Sequence, residues 1–261
     1  MVETAMVSPK VVQAILKGGE ILRTLADGVE RISDLSQEVG LSKSTTHRLL
    51  KSLEAASLVM QDPITRRYFV GPLMLELASR PLVAHQNLTV CAFDEMRSLR
   101  DFSRETVVLH IRVGLERICL EELPGLENIR YTAGKGFSAP IYTGSAGKVL
   151  LSELKENELE LLLKNLQLRP IGPNTITDKK TLLKELDKVR KQGYATSFGE
   201  RIQGSASISV PVRHYVCPVA LSVLGPDNRF TMKTMMDVLK RMKESAERIS
   251  EKLASAHPGS R

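Results

Sequence analysis

Apolar and polar positions alternate at helical spacing through the first 60 residues. One amphipathic stripe covers 10–26 and is interrupted by Gly18 and Gly19. A second helix is predicted to start near Ser33, a good N-cap, and a third to cover 43–56. The apolar positions of the first stripe are Val11, Val12, Ile15, Ile21, Leu22 and Leu25. The inner stripe of the third helix consists of Thr46, Leu49, Leu50 and Leu53.

Two short extended segments follow, 57–61 and 67–70, and the turn residues between them predict a hairpin. The next helix, 72–80, has proline at its first position, where its missing N–H is tolerated. Another helix is predicted over 86–103. We expect this helical segment to link the first domain to a second one that starts at about residue 105.

The rest of the chain alternates strands and helices. Strands are predicted over 106–113, 117–123, 128–132, 207–213 and 216–224, and helices over 145–153, 156–164, 178–191 and 231–254. In the last helix the apolar residues are spaced by fours and threes, which is typical of a coiled-coil seam or of a helix laid against a sheet. We favour the helix against the sheet.

Composition narrows the class of protein. The 261 residues allow two modest domains, and 42% hydrophobic with 26% charged residues is ordinary for a globular chain. No apolar run reaches the roughly 18 residues of a membrane span, and the N-terminus MVETAMVSPK lacks the pattern of a secretory signal. We therefore expect a soluble cytoplasmic protein with no membrane partner. Three widely spaced cysteines, Cys91, Cys119 and Cys217, predict buried reduced thiols.

The net charge of +7 suggests a polyanionic partner but does not locate its site. The excess lies in 181–261, where 14 Lys and Arg face 8 Asp and Glu. The local pattern is more informative, because 41–70 holds five basic residues against Glu54 and Asp62.

Residues 31–59 carry the strongest signal: a helix, a glycine turn, a second helix and the start of a hairpin. This order predicts a winged helix-turn-helix, whose second helix enters the major groove of DNA. A three-helix module for protein contact is the less favoured alternative, because the outward face of the second helix has no apolar residue to bury. Candidate DNA-binding residues are Ser42, Lys43, Ser44, Thr45, His47, Arg48 and Lys51 on that helix, and Arg66 and Arg67 at the wing tip.

Three segments resemble the IclR family of bacterial and archaeal transcription regulators: YFVGPLMLELA (68–78), ETVVLHI (105–111) and GKGFSAPIYTGSAGKVLLSEL (134–154). The specific part is the glycine-rich passage from strand to helix, and the late strand ending at 222–226 also matches. The resemblance covers about 10–250, nearly the whole chain.

The resemblance implies an α+β fold in three parts. A winged helix-turn-helix DNA-binding domain covers 10–71, a helical linker that also dimerises covers 72–104, and a GAF-like α/β effector-binding domain covers 105–254. It also implies a homo-oligomer, a dimer or a tetramer, that binds an inverted-repeat operator in double-stranded DNA. A small-molecule effector, which we take to be a carboxylate, would then change the operator affinity by shifting the spacing of two recognition helices.

The passage TGSAGKVLL (143–151) also has a direct physical interpretation. Its exposed N–H groups at the start of a helix suit a carboxylate or another small anion. It is not a phosphate-binding P-loop, because Tyr142 and Val149 stand where glycine and a hydroxyl residue are needed. The residue pattern alone fits a second interpretation equally well: the small side chains only allow the helix and the sheet to pack closely. The family resemblance favours a pocket lined by Ser145, Ala146, Ser197, Ser205, Ser207, Ser222 and Leu224.

The segment SFGERIQGSAS (197–207) departs from the family pattern. Of the usual acidic cluster only Glu200 remains, and Ser207 stands where a cysteine is common. The hydroxyl groups could still bind a ligand. An effector-independent DNA-binding protein is therefore an alternative.

No catalytic residue, metal site or cofactor is predicted. The five histidines, His47, His85, His110, His214 and His257, lack metal-ligand spacing, and neither HExxH nor GxSxG occurs. We expect His110, which lies within an apolar strand, to be a packed or surface residue. Glu121 and Glu122 would point to opposite faces of a strand and form no shared site. An enzyme with an accessory winged helix ranks below a regulator, because no nucleophile is paired with a base.

Overall fold

The structure, a computed structural model, describes residues 12–256. Val11 and His257 lie outside the described residues. The chain divides into two compact units that meet in sequence between Ala84 and His85. No helix within 12–256 combines the length and the apolar character needed to cross a membrane.

The N-terminal unit is a small helical bundle with a two-stranded hairpin. Its elements are α1 (Gln13–Ala26), α2 (Ile32–Glu38), α3 (Lys43–Ala55), β1 (Val59–Gln61), β2 (Tyr68–Val70), α4 (Pro72–Ala78) and α5 (Pro81–Ala84). Strands β1 and β2 pair antiparallel. The core takes Ile21 from α1, Leu35 from α2, Leu50 from α3 and Tyr68 from β2, all of them fully buried. The predicted inner stripe of α3 faces this core.

Two local predictions in this unit are wrong. Gly18 and Gly19 do not interrupt α1, which is continuous; Gly18 is buried against Leu53 of α3, where a larger residue would meet that side chain. Ser33 is not an N-cap but lies inside α2, whose N-cap is Arg31. The helix starts earlier because Ile32, its first residue, packs against the core.

The C-terminal unit is built on one six-stranded sheet. Its elements are α6 (Gln86–Ser103), β3 (Thr106–Val113), β4 (Glu116–Leu123), β5 (Ser138–Pro140), α7 (Gly144–Ser152), α8 (Glu156–Asn165), α9 (Lys179–Gln192), β6 (Ala195–Phe198), β7 (Ser205–Val212), β8 (Val219–Pro226) and α10 (Met232–Ala256). The strand order is β5-β4-β3-β8-β7-β6, and every pair is antiparallel.

Helices cover both faces of this sheet. Helices α6 and α10 pack on one face, where Met96, Ile208, Leu221 and Met242 contribute to the larger core. Helix α7 lies on the other face with α8 and α9 behind it, and Leu150 contributes to that second core. The helix-against-sheet interpretation of α10 is thereby confirmed. The α+β fold class and the winged helix are confirmed as well.

The strand predicted over 128–132 does not form. That segment is a mostly exposed connection with no neighbour in the sheet, although the carbonyl of Tyr131 accepts a hydrogen bond from Thr106 Oγ1 at 2.7 Å. The strands that flank the sheet are instead β5 and β6, which we did not predict. Both are short edge strands, and the one that ends in Pro140 is an edge because proline lacks the N–H needed within a sheet.

Two glycines should respond in opposite ways to alanine. Around Gly19, inside α1, an added Cβ meets nothing within 4 Å, so Gly19→Ala should stabilise the N-terminal unit by about 0.5–1 kcal/mol. At Gly147 in α7 an added Cβ would lie 1.9 Å from the carbonyl oxygen of Ile141. Gly147→Ala should therefore destabilise the C-terminal unit by about 1–3 kcal/mol or more. Thermal unfolding of both variants tests this, and equal shifts of the same sign would contradict it.

Candidate functional site

The first turn of α3 is preorganised by hydroxyl groups. Ser42 caps the helix: its Oγ accepts a hydrogen bond from the N–H of Thr45 at 3.2 Å and lies 2.8 Å from Thr45 Oγ1 and 3.0 Å from Ser44 Oγ. Ser42 reaches this position because Gly40, in the turn between the helices, adopts a positive φ of 63°. The helix therefore begins at a fixed residue and presents a fixed set of polar side chains.

All seven predicted DNA-binding residues of this helix are exposed. Lys43 and Arg48 form no ion pair with any described residue, whereas Lys51 Nζ lies 2.6 Å from Glu54 Oε2. The neighbouring Thr46 is fully buried and belongs to the inner face. The outward face of α3 is thus polar and basic, as a helix in a DNA groove requires.

The wing tip is a rigid turn built on Asp62. Its carboxylate accepts hydrogen bonds from the N–H groups of Ile64 and Thr65, and these bonds hold the pKa of Asp62 below its usual value. Arg66 adopts a left-handed backbone with φ 59° and is exposed. Arg67 is exposed too, but its guanidinium lies 2.9 Å from the carboxylate of Glu30. Of the two predicted wing contacts, one cation is therefore paired within the N-terminal unit.

Arg48 provides a direct test of the α3 face. Arg48→Ala should weaken operator binding by about 1–3 kcal/mol if the side chain contacts a base, and should leave thermal stability unchanged because the side chain is exposed. The matched control is Arg23→Ala, an exposed arginine on α1, which should retain wild-type affinity. Equal operator affinity of wild type and Arg48→Ala, measured by fluorescence anisotropy, would disprove the assignment.

The wing should act on all DNA sequences alike. Neutralising Arg66 and Arg67 together should reduce the slope of log K against log salt by about 0.9 per lost phosphate contact. Glu30→Gln should strengthen binding to random duplex DNA, because it frees Arg67 and removes a negative charge that lies beside the wing. A loss of affinity confined to one base-pair position would contradict a phosphate-binding wing.

The C-terminal unit holds a cavity of about 50 Å³ between the N-terminus of α7 and the covered face of the sheet. All seven residues predicted to face an effector line it: Ser145, Ala146, Ser197, Ser205, Ser207, Ser222 and Leu224. Side chains that were not predicted line it too, among them His110, Arg117, Arg201 and Ile202.

A chain of hydroxyl groups crosses the floor of this cavity. Ser145 Oγ on α7 lies 2.7 Å from both Ser207 Oγ and Ser209 Oγ, and Ser209 Oγ lies 2.7 Å from Ser222 Oγ. Four hydroxyls share three contacts, and each hydroxyl has one hydrogen to donate. One donor is therefore left over, and the chain can place it on Ser207 or Ser222, the two end hydroxyls, which both line the cavity.

A protein carboxylate already occupies part of the α7 N-terminus. Glu200 Oε2 accepts a hydrogen bond from the N–H of Gly144 at 2.9 Å, and Glu200 Oε1 lies 2.5 Å from Lys148 Nζ. Lys148 and Glu200 are both buried and neutralise each other. The expectation that the first N–H groups of the helix suit an anion is thus met in part by Glu200.

Arg117 and His110 form a second buried polar pair in the cavity wall. Arg117 Nη1 donates to His110 Nε2 at 2.9 Å, and Arg117 Nε donates to the carbonyl of Thr143 at 3.3 Å. Burial, with the charge of Arg201, lowers the pKa of Arg117 to about 10, so it stays charged at neutral pH. Burial, with the charges of Arg117 and Arg201, holds the pKa of His110 well below 6.5, so the imidazole is neutral.

The sequence pattern did not mark these charged residues as ligand-binding. Arg117 lies near the start of β4, next to the exposed Glu116 and the half-buried Ile118, and so resembles an ordinary outward-facing charge. His110 was expected to be packed or at the surface, and it is packed. Only the cover that α7 lays over this face turns both into cavity residues.

Other candidates carry no chemistry of their own. Glu121 pairs with Lys135 at 2.6 Å, while Glu122 accepts from the N–H groups of Ala133 and Gly134, so the two carboxylates have separate partners. Cys119 is buried, but Cys91 and Cys217 are only half-buried, which corrects that part of the prediction. Among the described residues no group of three His, Cys, Asp or Glu could hold a metal ion.

Comparison with known families matches both units. The sequence model described as "IclR helix-turn-helix domain" matches residues 14–63, and the one described as "Bacterial transcriptional regulator IclR C-terminal" matches residues 81–251.

Individual relatives match over nearly their full length. The chain is 33% identical over 257 residues to the HTH-type transcriptional repressor AllR of Escherichia coli (strain K12), covering 97% of this chain and 94% of that protein. It is 30% identical over 248 residues to the HTH-type transcriptional regulator KdgR of the same strain, covering 94% of each. The crystal structure of the Thermotoga maritima IclR superposes with a TM-score of 0.62 at 28% identity, covering 92% of this chain and 98% of that one.

Proposed function

Because this chain belongs to the IclR family of bacterial transcriptional regulators, we propose that its N-terminal unit binds an inverted-repeat operator and that its C-terminal unit binds a small carboxylate effector. Binding of the effector changes operator affinity only through its different affinity for the DNA-competent and DNA-incompetent states. As a regulator of transcription the protein acts in the cytoplasm, where the DNA is.

The observation that carries this proposal is the division of polar groups between the two units. The nine candidate DNA-binding residues of α3 and the wing are all exposed, where a polyanion can reach them. The polar groups around the cavity are largely buried, where only a small molecule can reach them. An exposed basic surface is suited to DNA, and a buried polar cavity is suited to a metabolite.

The finer assignment within the N-terminal unit is that the first turn of α3 contacts base edges and phosphates. Lys43 and Arg48 have no carboxylate partner among the described residues, so no ion pair has to be broken before they bind DNA. Arg66 and Arg67 at the wing contact backbone phosphates next to the groove.

We infer that the protein assembles as a dimer or a tetramer. A single winged helix reads few base pairs, and two copies related by a two-fold axis gain from effective concentration. Support comes from apolar side chains that the single chain leaves in water: Ile15 of α1 is 74% exposed, Leu75 of α4 is 73% exposed and Val83 of α5 is 67% exposed. A second copy of the chain would remove these apolar side chains from water.

Selection from random duplexes with the full-length protein should enrich an inverted repeat, and the protein should sediment as a dimer or larger species at micromolar concentration. Leu75→Asp should weaken both self-association and binding to the full site, while its fold survives because Leu75 packs against little in the single chain. Leu161→Asp is the matched control, since Leu161 is 63% exposed on α8 outside the proposed contact. A monomer that binds a single half-site, or enrichment of no sequence, would contradict the proposed function.

A further inference from the structure

Among the described arginines of the C-terminal unit, Arg117 is unusual because it is buried and has no carboxylate partner. Arg229 lies 2.5 Å from Glu105, and Arg248 lies 2.8 Å from Glu95, although both arginines are partly exposed. Arg117 is only 8% exposed and has no carboxylate within 4 Å among the described residues. The nearby Glu200 is held by Lys148 and by the N–H of Gly144.

An unpaired buried charge is costly to the folded state, because the guanidinium loses its hydration and gains no counter-charge. Such a cost is expected where the missing partner is a ligand. We propose that Arg117 is the anchor that binds the carboxylate of the effector and that His110 is its positioning residue. This inference rests on the function proposed above and assigns the ligand-binding charge within that site.

The guanidinium is held so that one nitrogen remains available. Nε is bound to the carbonyl of Thr143 and Nη1 to His110, whereas Nη2 has no hydrogen-bond partner among the described residues. A Cβ added at Gly144 would lie 3.6 Å from Nη2, in contact with it. Because residue 144 is glycine, no side chain covers the nitrogen from that direction. Arg117 and Gly144 both line the cavity, so this nitrogen borders the space that a ligand would fill.

His110 orients the anchor through its own protonation state. Arginine can only donate, so His110 Nε2 must accept, and the ring hydrogen lies on Nδ1. That Nδ1 is buried and has no hydrogen-bond partner in the described part of the chain. The neutral imidazole thus fixes the plane of the guanidinium without adding a competing charge.

The opposite wall and the volume define the class of ligand. When the unused donor of the serine chain lies on Ser207 or Ser222, it can bind a further oxygen of the ligand. Arg201, whose guanidinium lies 5.6 Å from the Phe137 ring centre, adds a second positive charge to the cavity lining. A volume of about 50 Å³ holds roughly three to five water molecules, so the ligand is a small monocarboxylate of about four to six non-hydrogen atoms.

The experiment measures binding of acetate, pyruvate and lactate to the full chain by calorimetry, with acetamide, pyruvamide and lactamide as neutral counterparts of similar size. The variants are Arg117→Gln, which removes the charge, and Arg117→Lys, which keeps the charge but loses the fork. Arg112→Gln is the matched control, because Arg112 lies opposite Arg117 in the β3–β4 register and pairs with Glu158 outside the cavity.

At least one of the three carboxylates should bind the wild type, and its neutral counterpart should bind far more weakly. Arg117→Gln should weaken carboxylate binding about 10- to 100-fold, the equivalent of one hydrogen bond to a charged group. Arg117→Lys should lose less, and Arg112→Gln should bind as the wild type does. Without ligand, Arg117→Gln should have a Tm at or above that of the wild type, because no carboxylate loses its partner.

His110 is tested by conservative rescue. His110→Gln retains an acceptor for Arg117 and should retain carboxylate binding, whereas His110→Leu should lose it while the protein remains folded by circular dichroism. Equal loss in both variants, or none in either, would overturn the positioning role.

Two results would overturn the anchor and leave the proposed function to its own test. Undiminished carboxylate binding by Arg117→Gln would show that the pocket exists but uses another group. Failure of all three carboxylates to bind the wild type would remove the anchor itself, while selection of operator DNA and sedimentation would still decide the regulatory function.

Discussion

Helix α7 meets the sheet through hydroxyl groups: Ser145 Oγ lies 2.7 Å from both Ser207 Oγ and Ser209 Oγ. Side chains as small as serine let the start of the helix approach the strands closely. The tight turn before α7 depends on Gly147, because the carbonyl of Ile141 occupies the place of a Cβ. The other features of the cavity follow from this contact, since it covers a polar face of the sheet that water would otherwise cover.

The polar groups on a covered face lose their hydrogen bonds to water and need partners within the protein. The serines satisfy one another, and Glu200 satisfies both Lys148 and the N–H of Gly144. Arg117 is a buried charge for which the described residues provide no carboxylate partner. Burying this cation without a partner destabilises the fold, but it creates a site that selects its ligand by charge and by size.

The N-terminal unit follows the opposite logic. Its basic residues stay in water, where a charge costs little, and the hydroxyl of Ser42 and the carboxylate of Asp62 hold the backbone that carries them. Exposed charges of this kind are screened by salt, so DNA binding should depend strongly on ionic strength. Binding in the buried cavity should depend on it much less.

The sequence by itself determined the elements whose signals are local. The apolar stripes of α2 and α3, which include Leu35 and Leu50, define the helix-turn-helix together with the Ser42 cap. In β7, serines alternate with Ala206 and Ile208, and this alternation separates the two faces of the strand. The resemblance placed the seven cavity residues, although Ser197, Ser205 and Ser207 lie in a segment that departs from the family pattern. Local pattern failed where a partner was distant, as in 128–132, which finds no neighbouring strand, and Ser33, which the packing of Ile32 moves inside its helix.

Only the tertiary structure decided which polar residues are buried. A period of two tells that His110 and Arg112 share one side of β3, but it cannot tell that Arg117 of β4 joins them or whether water or another element covers that side. Glu200 and Lys148 are 52 residues apart, and no spacing in the chain predicts their contact. Burial and charge pairing are properties of the assembled fold, and they decide which of several similar polar residues can bind a ligand.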